Sequence, residues 1–130
     1  MRVLLDTNVA IWLVDAPETL RPEVLERLAS DASSLVVSAI VAWEVAIKWR
    51  TGRLTLPDHP RPWTRRMIRE FGADLLPVTL EHAVHVADLP DHHGDPFDRL
   101  LIAQAQVEGM PIVTADRSFG PYDVEVVAAR

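Results

Sequence analysis

The sequence has no cysteine and only one lysine among its 130 residues. Without cysteine there is no disulfide framework and no thiolate metal site, which is typical of proteins in a reducing compartment. No apolar run reaches the roughly 18 to 20 residues that a membrane-spanning helix needs. Asp6 interrupts the apolar start of the chain, so this start does not have the composition of a secretory signal peptide. We therefore expect a cytoplasmic protein with no membrane partner.

Positive charge is also scarce, because 13 Lys and Arg residues stand against 19 Asp and Glu residues and the formal net charge is −6. A protein that coats nucleic acid through its overall charge usually has a basic face. The acidic balance argues against that kind of binding but leaves a nuclease open. A cluster of carboxylates contributes negative charge itself, and bound divalent cations reverse its local sign.

Short apolar runs alternate with segments of helical periodicity along the whole chain. This alternation favours parallel strand pairing and a three-layer α/β sandwich with a mainly parallel central sheet. The length fits one domain of ordinary size, so residues 1–130 are expected to form a single domain. Strands are predicted at residues 3–5, 35–37, 75–78, 111–114 and 124–127. The first helix is predicted to be capped by Thr7 or Asn8, and later helices to cover residues 39–50, 62–71 and 96–108.

Two aspartates stand just past the ends of predicted strands, Asp6 in LLDTN and Asp116 in IVTAD. Either one alone has the position of a turn residue or a helix cap. Open α/β sheets place their ligand crevice outside the carboxyl ends of the strands, and both aspartates have that placement. Their parallel positions favour a shared functional site.

Glu44 is the only charged residue in the apolar helical segment AIVAWEVAI at residues 39–47. A buried carboxylate is costly unless it is neutral, paired or bound to a cation. One explanation is an ion pair with Lys48 one helical turn later. The other is a metal ligand that a rigid helix points into the crevice.

The segment DPFDR places Asp95 at a helix N-cap, Pro96 at the first helical position and Asp98 at the third. Capping could explain both aspartates. A carboxylate in the first turn of a helix can also project beyond the strand ends, toward the other acids. We favour Asp95 as the cap and Asp98 as a ligand.

Four segments together resemble the PIN-domain family, and more narrowly the VapC-type toxins of bacterial toxin–antitoxin pairs. They run in order from residue 3 to about residue 120. The segments are LLDTNVAIWL, VSAIVAWEVAIKWRTGRLTL, HHGDPFDRLLIAQA and IVTADRSF.

This resemblance implies a PIN fold with a set of four metal-binding acids and two supporting polar residues. Members of the family are typically Mg²⁺- or Mn²⁺-dependent endoribonucleases, usually dimeric and inhibited by a cognate antitoxin. An RNA substrate, an antitoxin partner and a homodimer are therefore expected, and the fourth acid position is the least uniform in the family. The implied acids are Asp6, Glu44, Asp98 and Asp116, supported by Thr7 and Asn8, and we add Ser38, Asp95 and Thr114 as further supporting residues.

Crowded carboxylates repel one another, so at least one should bind a proton more tightly than in water. Oxygen ligands suit Mg²⁺ and Mn²⁺. The expected chemistry is attack of a metal-activated water on phosphorus, which leaves a 5′ phosphate and a 3′ hydroxyl. Contacts to RNA phosphates are predicted from two basic groups that could equally be solvated surface, namely Lys48, Arg50 and Arg53, and Arg65 and Arg69.

Other readings are open to different degrees. A zinc site made by the histidines is disfavoured, because there is no His-Glu-x-x-His pattern, and the histidines are expected at the surface. A phosphoryl-transfer enzyme of the haloacid-dehalogenase or response-receiver kind is disfavoured, because Lys48 is the only lysine and Asn8 stands where a second aspartate would be needed. A catalytically idle PIN module and a DNA- or structure-specific nuclease remain as alternatives. Aromatic residues on helices are expected in the core or at an interface, and Trp49 and Trp63, if exposed, could serve dimerisation or antitoxin docking.

Overall fold

The computed structural model describes residues 1–30 and 34–130. Five strands form one sheet in the order β3-β2-β1-β4-β5, and every neighbouring pair is parallel. The helices flank this sheet, so the predicted α/β sandwich is confirmed. The strands are β1 (Arg2–Leu5), β2 (Ser34–Ser38), β3 (Asp74–Leu76), β4 (Ile112–Thr114) and β5 (Val126–Ala128).

Six α-helices connect or follow these strands in the described ranges. None of the helices within residues 1–30 and 34–130 is both long enough and apolar enough to cross a membrane. The helices are α1 (Thr7–Asp15), α2 (Pro22–Ala29), α3 (Ala39–Arg50), α4 (Pro60–Glu70), α5 (Leu80–His85) and α6 (Pro96–Glu108). Short 3₁₀ turns occur at Pro17–Thr19, Val86–Asp88 and Arg117–Phe119.

The strand order determines where a ligand crevice can form. The chain proceeds from β1 outward to β2 and β3, then returns to the other side of β1 to form β4 and β5. The direction of winding therefore changes between β1 and β4. In open α/β sheets, ligands bind outside the carboxyl ends of the strands at such a point.

The core explains why the strands read as continuous apolar runs rather than alternating ones. Consecutive residues of β1, Val3, Leu4 and Leu5, are all buried. A parallel sheet with helices on its faces hides both sides of each strand, so no polar face is needed. Leu101 and Ile102 of α6 are also fully buried and belong to the same core.

Several predicted boundaries were wrong. The cap of α1 is Asp6, not Thr7 or Asn8, because its side chain accepts the Thr7 backbone N–H. Helix α4 begins at Pro60 rather than Pro62, since the ring of His59 accepts the Arg61 N–H and caps it. The β3 and β5 strands each span three residues, displaced from the predicted ranges by one or two positions.

The surface position expected for His82 was also wrong, and of the two placements open to Trp63 the structure shows the core. His82 is fully buried, with Nδ1 accepting the Thr79 N–H at 3.0 Å and Nε2 lying 2.9 Å from a Glu108 oxygen. Trp63 is 1% exposed and packs in the core, so it is not available to a partner. Trp49 is half-buried and lies edge-on against the His59 ring.

Candidate active site

Asp6 joins the ends of the two central strands. It follows β1, and its Oδ1 accepts the Thr7 N–H at 2.8 Å, while its Oδ2 accepts the Thr114 hydroxyl of β4 at 2.7 Å. Burial is the main reason that the pKa of Asp6 is raised, and the two hydrogen bonds oppose this shift. The charges of Glu44 and Asp116 raise it further.

Glu44 lies on α3, is 5% exposed, and uses both oxygens. Oε1 accepts the Thr7 hydroxyl at 2.6 Å, and Oε2 lies 2.6 Å from the Lys48 ammonium. The ion pair that the sequence allowed is therefore present. A carboxylate offers about four acceptor positions, so this pair leaves the oxygens able to bind a cation as well. Lys48, expected as a phosphate contact, is directed to Glu44.

Asp98 occupies the first turn of α6, as predicted. Asp95 caps this helix by accepting the N–H groups of Phe97 and Asp98 at 2.9 and 3.0 Å. Burial is the main reason that the pKa of Asp98 is raised to about 8, and the negative charges of Asp6, Asp95, Asp116 and Glu44 contribute the rest of the shift. The predicted crowding contributes to the raised pKa of Asp98, but burial contributes more.

Asp116 follows β4 and is exposed. Its N–H donates to the Thr114 hydroxyl at 3.0 Å, and its Oδ1 accepts the Ser118 N–H at 2.9 Å, so it also caps the 3₁₀ turn. Capping alone would account for its position. Its charge nevertheless acts on the pKa of both Asp6 and Asp98, which places it in the same electrostatic cluster.

The supporting residues play unequal parts. Thr7 links α1 to Glu44, and Thr114 links Asp6 to the backbone of Asp116. Ser38 is buried and caps α3 by accepting the Ile40 N–H at 3.0 Å, so it acts on the helix that carries Glu44. Asn8 is exposed in the first turn of α1.

The donor set fits an open site for a hard divalent cation. Within residues 1–30 and 34–130, no three Asp, Glu or His side chains are grouped as a ready-made metal site. Mg²⁺ usually keeps several waters and is held by one or two carboxylates together with substrate phosphates. The carboxylate oxygens are the donor type that Mg²⁺ and Mn²⁺ prefer, so one or two of these acids could hold such an ion together with waters and a substrate phosphate.

A groove beside Asp116 brings together three arginines that are far apart in the sequence. It has a volume of about 370 Å³ and is lined by Arg21, Arg117 and Arg130 as well as by Thr114 and Asp116. Sequence reasoning missed this group because only the tertiary fold assembles it. The arginines predicted as phosphate contacts, Arg50, Arg53, Arg65 and Arg69, are exposed on or just after α3 and on α4.

The family model of the PIN domain matches residues 3–124. The chain belongs to the PIN domain family. A curated relative, ribonuclease VapC22 of Mycobacterium tuberculosis, is 32% identical over 119 residues, covering 88% of this chain and 87% of the relative. The resemblance to VapC-type PIN domains is thereby confirmed.

Solved structures show the same fold. VapBC2 from Rickettsia felis, bound to a DNA fragment from its promoter, matches this PIN domain with a TM-score of 0.70 at 16% identity, covering all of both chains. FitAB bound to the IR36 DNA fragment matches with a TM-score of 0.66 at 24% identity, covering 97% of this chain and 94% of that one. VapBC-1 from nontypeable Haemophilus influenzae matches with a TM-score of 0.65 at 17% identity, covering 98% of each chain.

Proposed function

We propose that this PIN domain is a Mg²⁺- or Mn²⁺-dependent endoribonuclease and the toxin of a VapBC-type pair, acting in the cytoplasm. The observation that carries the proposal is the convergence of four acids from separate elements at the carboxyl ends of β1 and β4: Asp6 and Asp116 follow these strands, and Asp98 on α6 lies close enough to feel the charges of Asp6, Glu44 and Asp116. A divalent cation would relieve the mutual repulsion of these carboxylates once they are ionised. The name of the 32% identical relative, a ribonuclease, supports the same activity.

Asp6 and Asp98 would hold the cation, with Glu44 and Asp116 completing the acidic ring. When bound, Mg²⁺ or Mn²⁺ supplies a Lewis acid that neutralises phosphate oxygens and makes a water more acidic. The chain orients its own carboxylates for this work. The Thr7 hydroxyl donates to one oxygen of Glu44, and the Thr114 hydroxyl donates to one oxygen of Asp6. These bonds fix the orientation of the two carboxylates, whose other acceptor positions could bind the cation.

The substrate strand would approach along the arginine groove. Arg21, Arg117 and Arg130 border Asp116, so they can neutralise phosphates next to the bond that is cut. Their positive charge would offset the repulsion between the RNA phosphates and the acidic cluster. Because water rather than a ribose hydroxyl attacks, preference for RNA over DNA would come from binding and not from the chemical step.

A cognate antitoxin and a second copy of the chain are the proposed protein partners. The similar solved structures are described as VapBC and FitAB assemblies. Trp43 of α3 is 55% exposed, and its ring packs edge-on against the Phe97 ring in the first turn of α6, with 5.0 Å between the ring centroids. An exposed aromatic beside the acidic cluster is a surface that a protein inhibitor can cover.

RNA cleavage by antitoxin-free protein tests the proposal. Discrete cuts that carry 5′ phosphates are expected in Mg²⁺ or Mn²⁺, with loss in EDTA and in Asp6→Asn or Asp98→Asn. Asp74→Asn is the matched control, since Asp74 is exposed at the start of β3, at the opposite end of the strands. Cutting that survives both site substitutions contradicts the proposed site.

Two outcomes would favour the alternatives. Cleavage of DNA or of structured duplexes with equal efficiency would indicate a nuclease of different specificity. Antitoxin binding without any cleavage of RNA or DNA would indicate a catalytically idle module.

A further inference from the structure

Tyr122 and His93 form a partly buried hydrogen-bond chain that ends on Asp98. The Tyr122 hydroxyl lies 2.7 Å from His93 Nδ1, and His93 Nε2 lies 3.3 Å from Asp98 Oδ2. Tyr122 is 3% exposed. Tyr122 lies 24 residues after Asp98 in the sequence, so no local sequence motif predicts this contact.

The other partners of Tyr122 decide which way its proton points. Arg99 Nη1 donates to the hydroxyl at 3.1 Å, and the His93 backbone N–H donates to it at 3.3 Å. Arginine and backbone N–H groups have no acceptor function, so among these described contacts only His93 Nδ1 can receive the phenolic proton. A buried hydroxyl left without an acceptor would cost about 1–3 kcal/mol.

The histidine tautomer follows from this. Nδ1 accepts from Tyr122, so in the neutral ring the proton is on Nε2, which faces Asp98. Arg99 also fixes the loop that carries His93, donating to the Pro90 carbonyl at 2.8 Å. The loop and the tautomer are therefore set by the same arginine.

We propose that His93 is a positioning residue, locked by Tyr122 as the Nε2–H tautomer, which directs the Asp98 carboxylate for cation binding by donating to Oδ2. The last step, toward the cation, rests on the proposed function. One Asp98 oxygen is thereby oriented, and its remaining acceptor positions are presented in a fixed direction. Partners of this kind, one contact away from a ligand, commonly change metal affinity by about 10–100-fold.

Imidazole nitrogen spectra of the metal-free protein, recorded above pH 8 where the Asp98 carboxylate is ionised, test the tautomer directly. With ¹⁵N-labelled histidine, His93 of the wild type is expected to show the Nε2–H pattern, and Tyr122→Phe is expected to shift the ring toward a mixture with Nδ1–H. A merely structural packing role for Tyr122 would leave the tautomer unchanged. An Nδ1–H ring in the wild type would overturn the proposal.

Binding of Mn²⁺ alone, followed by electron paramagnetic resonance, tests the link to Asp98. His93→Ala is expected to weaken Mn²⁺ binding about 10-fold. His93→Gln, which keeps a side-chain N–H donor, is expected to recover most of the affinity, and His85→Gln on α5 serves as the control. Equal affinity in His93→Ala and the wild type would overturn the proposal.

The two proposals fail in different ways. An Nε2–H tautomer with Mn²⁺ affinity that depends on His93, but no cleavage of any RNA, would contradict the nuclease and retain the role of His93. RNA cleavage that requires Asp98, combined with an Nδ1–H ring at His93, would contradict the role of His93 and retain the nuclease.

Discussion

The Lys48 ammonium lies 2.6 Å from Oε2 of Glu44, one helical turn away on α3, and Glu44 is buried while Lys48 is partly exposed. The pair compensates the charge of Glu44 without closing the site. Among residues 1–30 and 34–130, removing Lys48 leaves the Thr7 hydroxyl as the remaining polar partner of this buried carboxylate. The energetic consequence of this pair can be measured with and without a divalent cation.

Lys48→Met is expected to lower the free energy of unfolding of the metal-free protein by about 1–3 kcal/mol, less than for a fully buried pair because Lys48 is partly exposed. Mg²⁺ should restore more stability to this variant than to the wild type, since it meets an unpaired Glu44. Chemical denaturation in EDTA and in Mg²⁺ measures both. In Glu44→Gln/Lys48→Met the extra Mg²⁺ effect should vanish, and Arg50→Met controls for loss of a surface charge on α3. An unchanged stability in Lys48→Met would show that the pair contributes nothing.

Stability should also depend on pH through Asp98. The pKa of Asp98 is raised from 3.8 to about 8 in the folded protein by burial and neighbouring acids. Between these values the unfolded chain has lost the proton and the folded chain keeps it, so rising pH favours unfolding. The free energy of unfolding of the metal-free protein is therefore expected to fall as the pH rises from about 4 to about 8. Below about pH 4 both states keep the proton, so Asp98 no longer makes the stability depend on pH.

Asp98→Asn removes this titrating carboxyl, and the comparison is repeated with His93→Gln in both proteins, because His93 contacts Asp98. Denaturant unfolding at several pH values in EDTA should give a flatter dependence for Asp98→Asn. Stabilisation by Mg²⁺ should grow with pH in the wild type, as the ion binds the ionised carboxylate. Parallel pH profiles for the two proteins would contradict the raised pKa.

The local part of this site could be predicted from the sequence. Asp95 as a cap, Asp98 in the first turn of α6 and the possible pairing of Glu44 with Lys48 all depend on separations of four residues or fewer. Helix geometry fixes such neighbours regardless of the rest of the fold. Asp6 and Asp116 could be placed at one edge because parallel strands end together.

The long-range contacts could not be predicted in the same way. His93 faces Asp98 and Tyr122 through a loop whose path depends on Arg99, and no periodicity describes a loop. His82 was expected at the surface, since α5 has only six residues and its buried face cannot be read from so short a helix. Its partner Glu108 lies on another helix, 26 residues away.

His82 should matter for stability rather than for activity. His82→Ala removes a fully buried ring and leaves the Thr79 N–H without its acceptor, so the free energy of unfolding is expected to fall by about 2–4 kcal/mol. Thermal or chemical unfolding measures this loss. His85→Ala, at a partly exposed position of the same helix, should cost much less. Equal losses of unfolding free energy in His82→Ala and His85→Ala would show that the burial of His82 does not stabilise the fold.

The hydroxyl of Thr114 should tune the acidic cluster. It donates to Asp6 Oδ2 and accepts the Asp116 N–H, and its bond lowers a pKa that burial raises. Thr114→Val keeps the shape and removes both bonds, so the pKa of Asp6 should rise further and the pH at which cleavage reaches half its maximum should move upward. Thr64→Val on α4 is the control, since that hydroxyl bonds only to backbone carbonyls of its own helix. An unshifted pH profile in Thr114→Val would show that the bond does not control Asp6.

The arginines that guide RNA can be identified by comparing two sets of variants. Arg21 and Arg117 line the groove at Asp116, whereas Arg65 and Arg69 lie on α4. Arg21→Ala/Arg117→Ala is expected to raise KM about tenfold and leave kcat nearly unchanged, because phosphate contacts stabilise the bound substrate and the transition state alike. The salt dependence of binding should also weaken by about one phosphate contact per arginine. Arg65→Ala/Arg69→Ala should have little effect on either quantity. The opposite ranking would show that the strand crosses α4, as the sequence first suggested, and that the groove beside Asp116 serves another purpose.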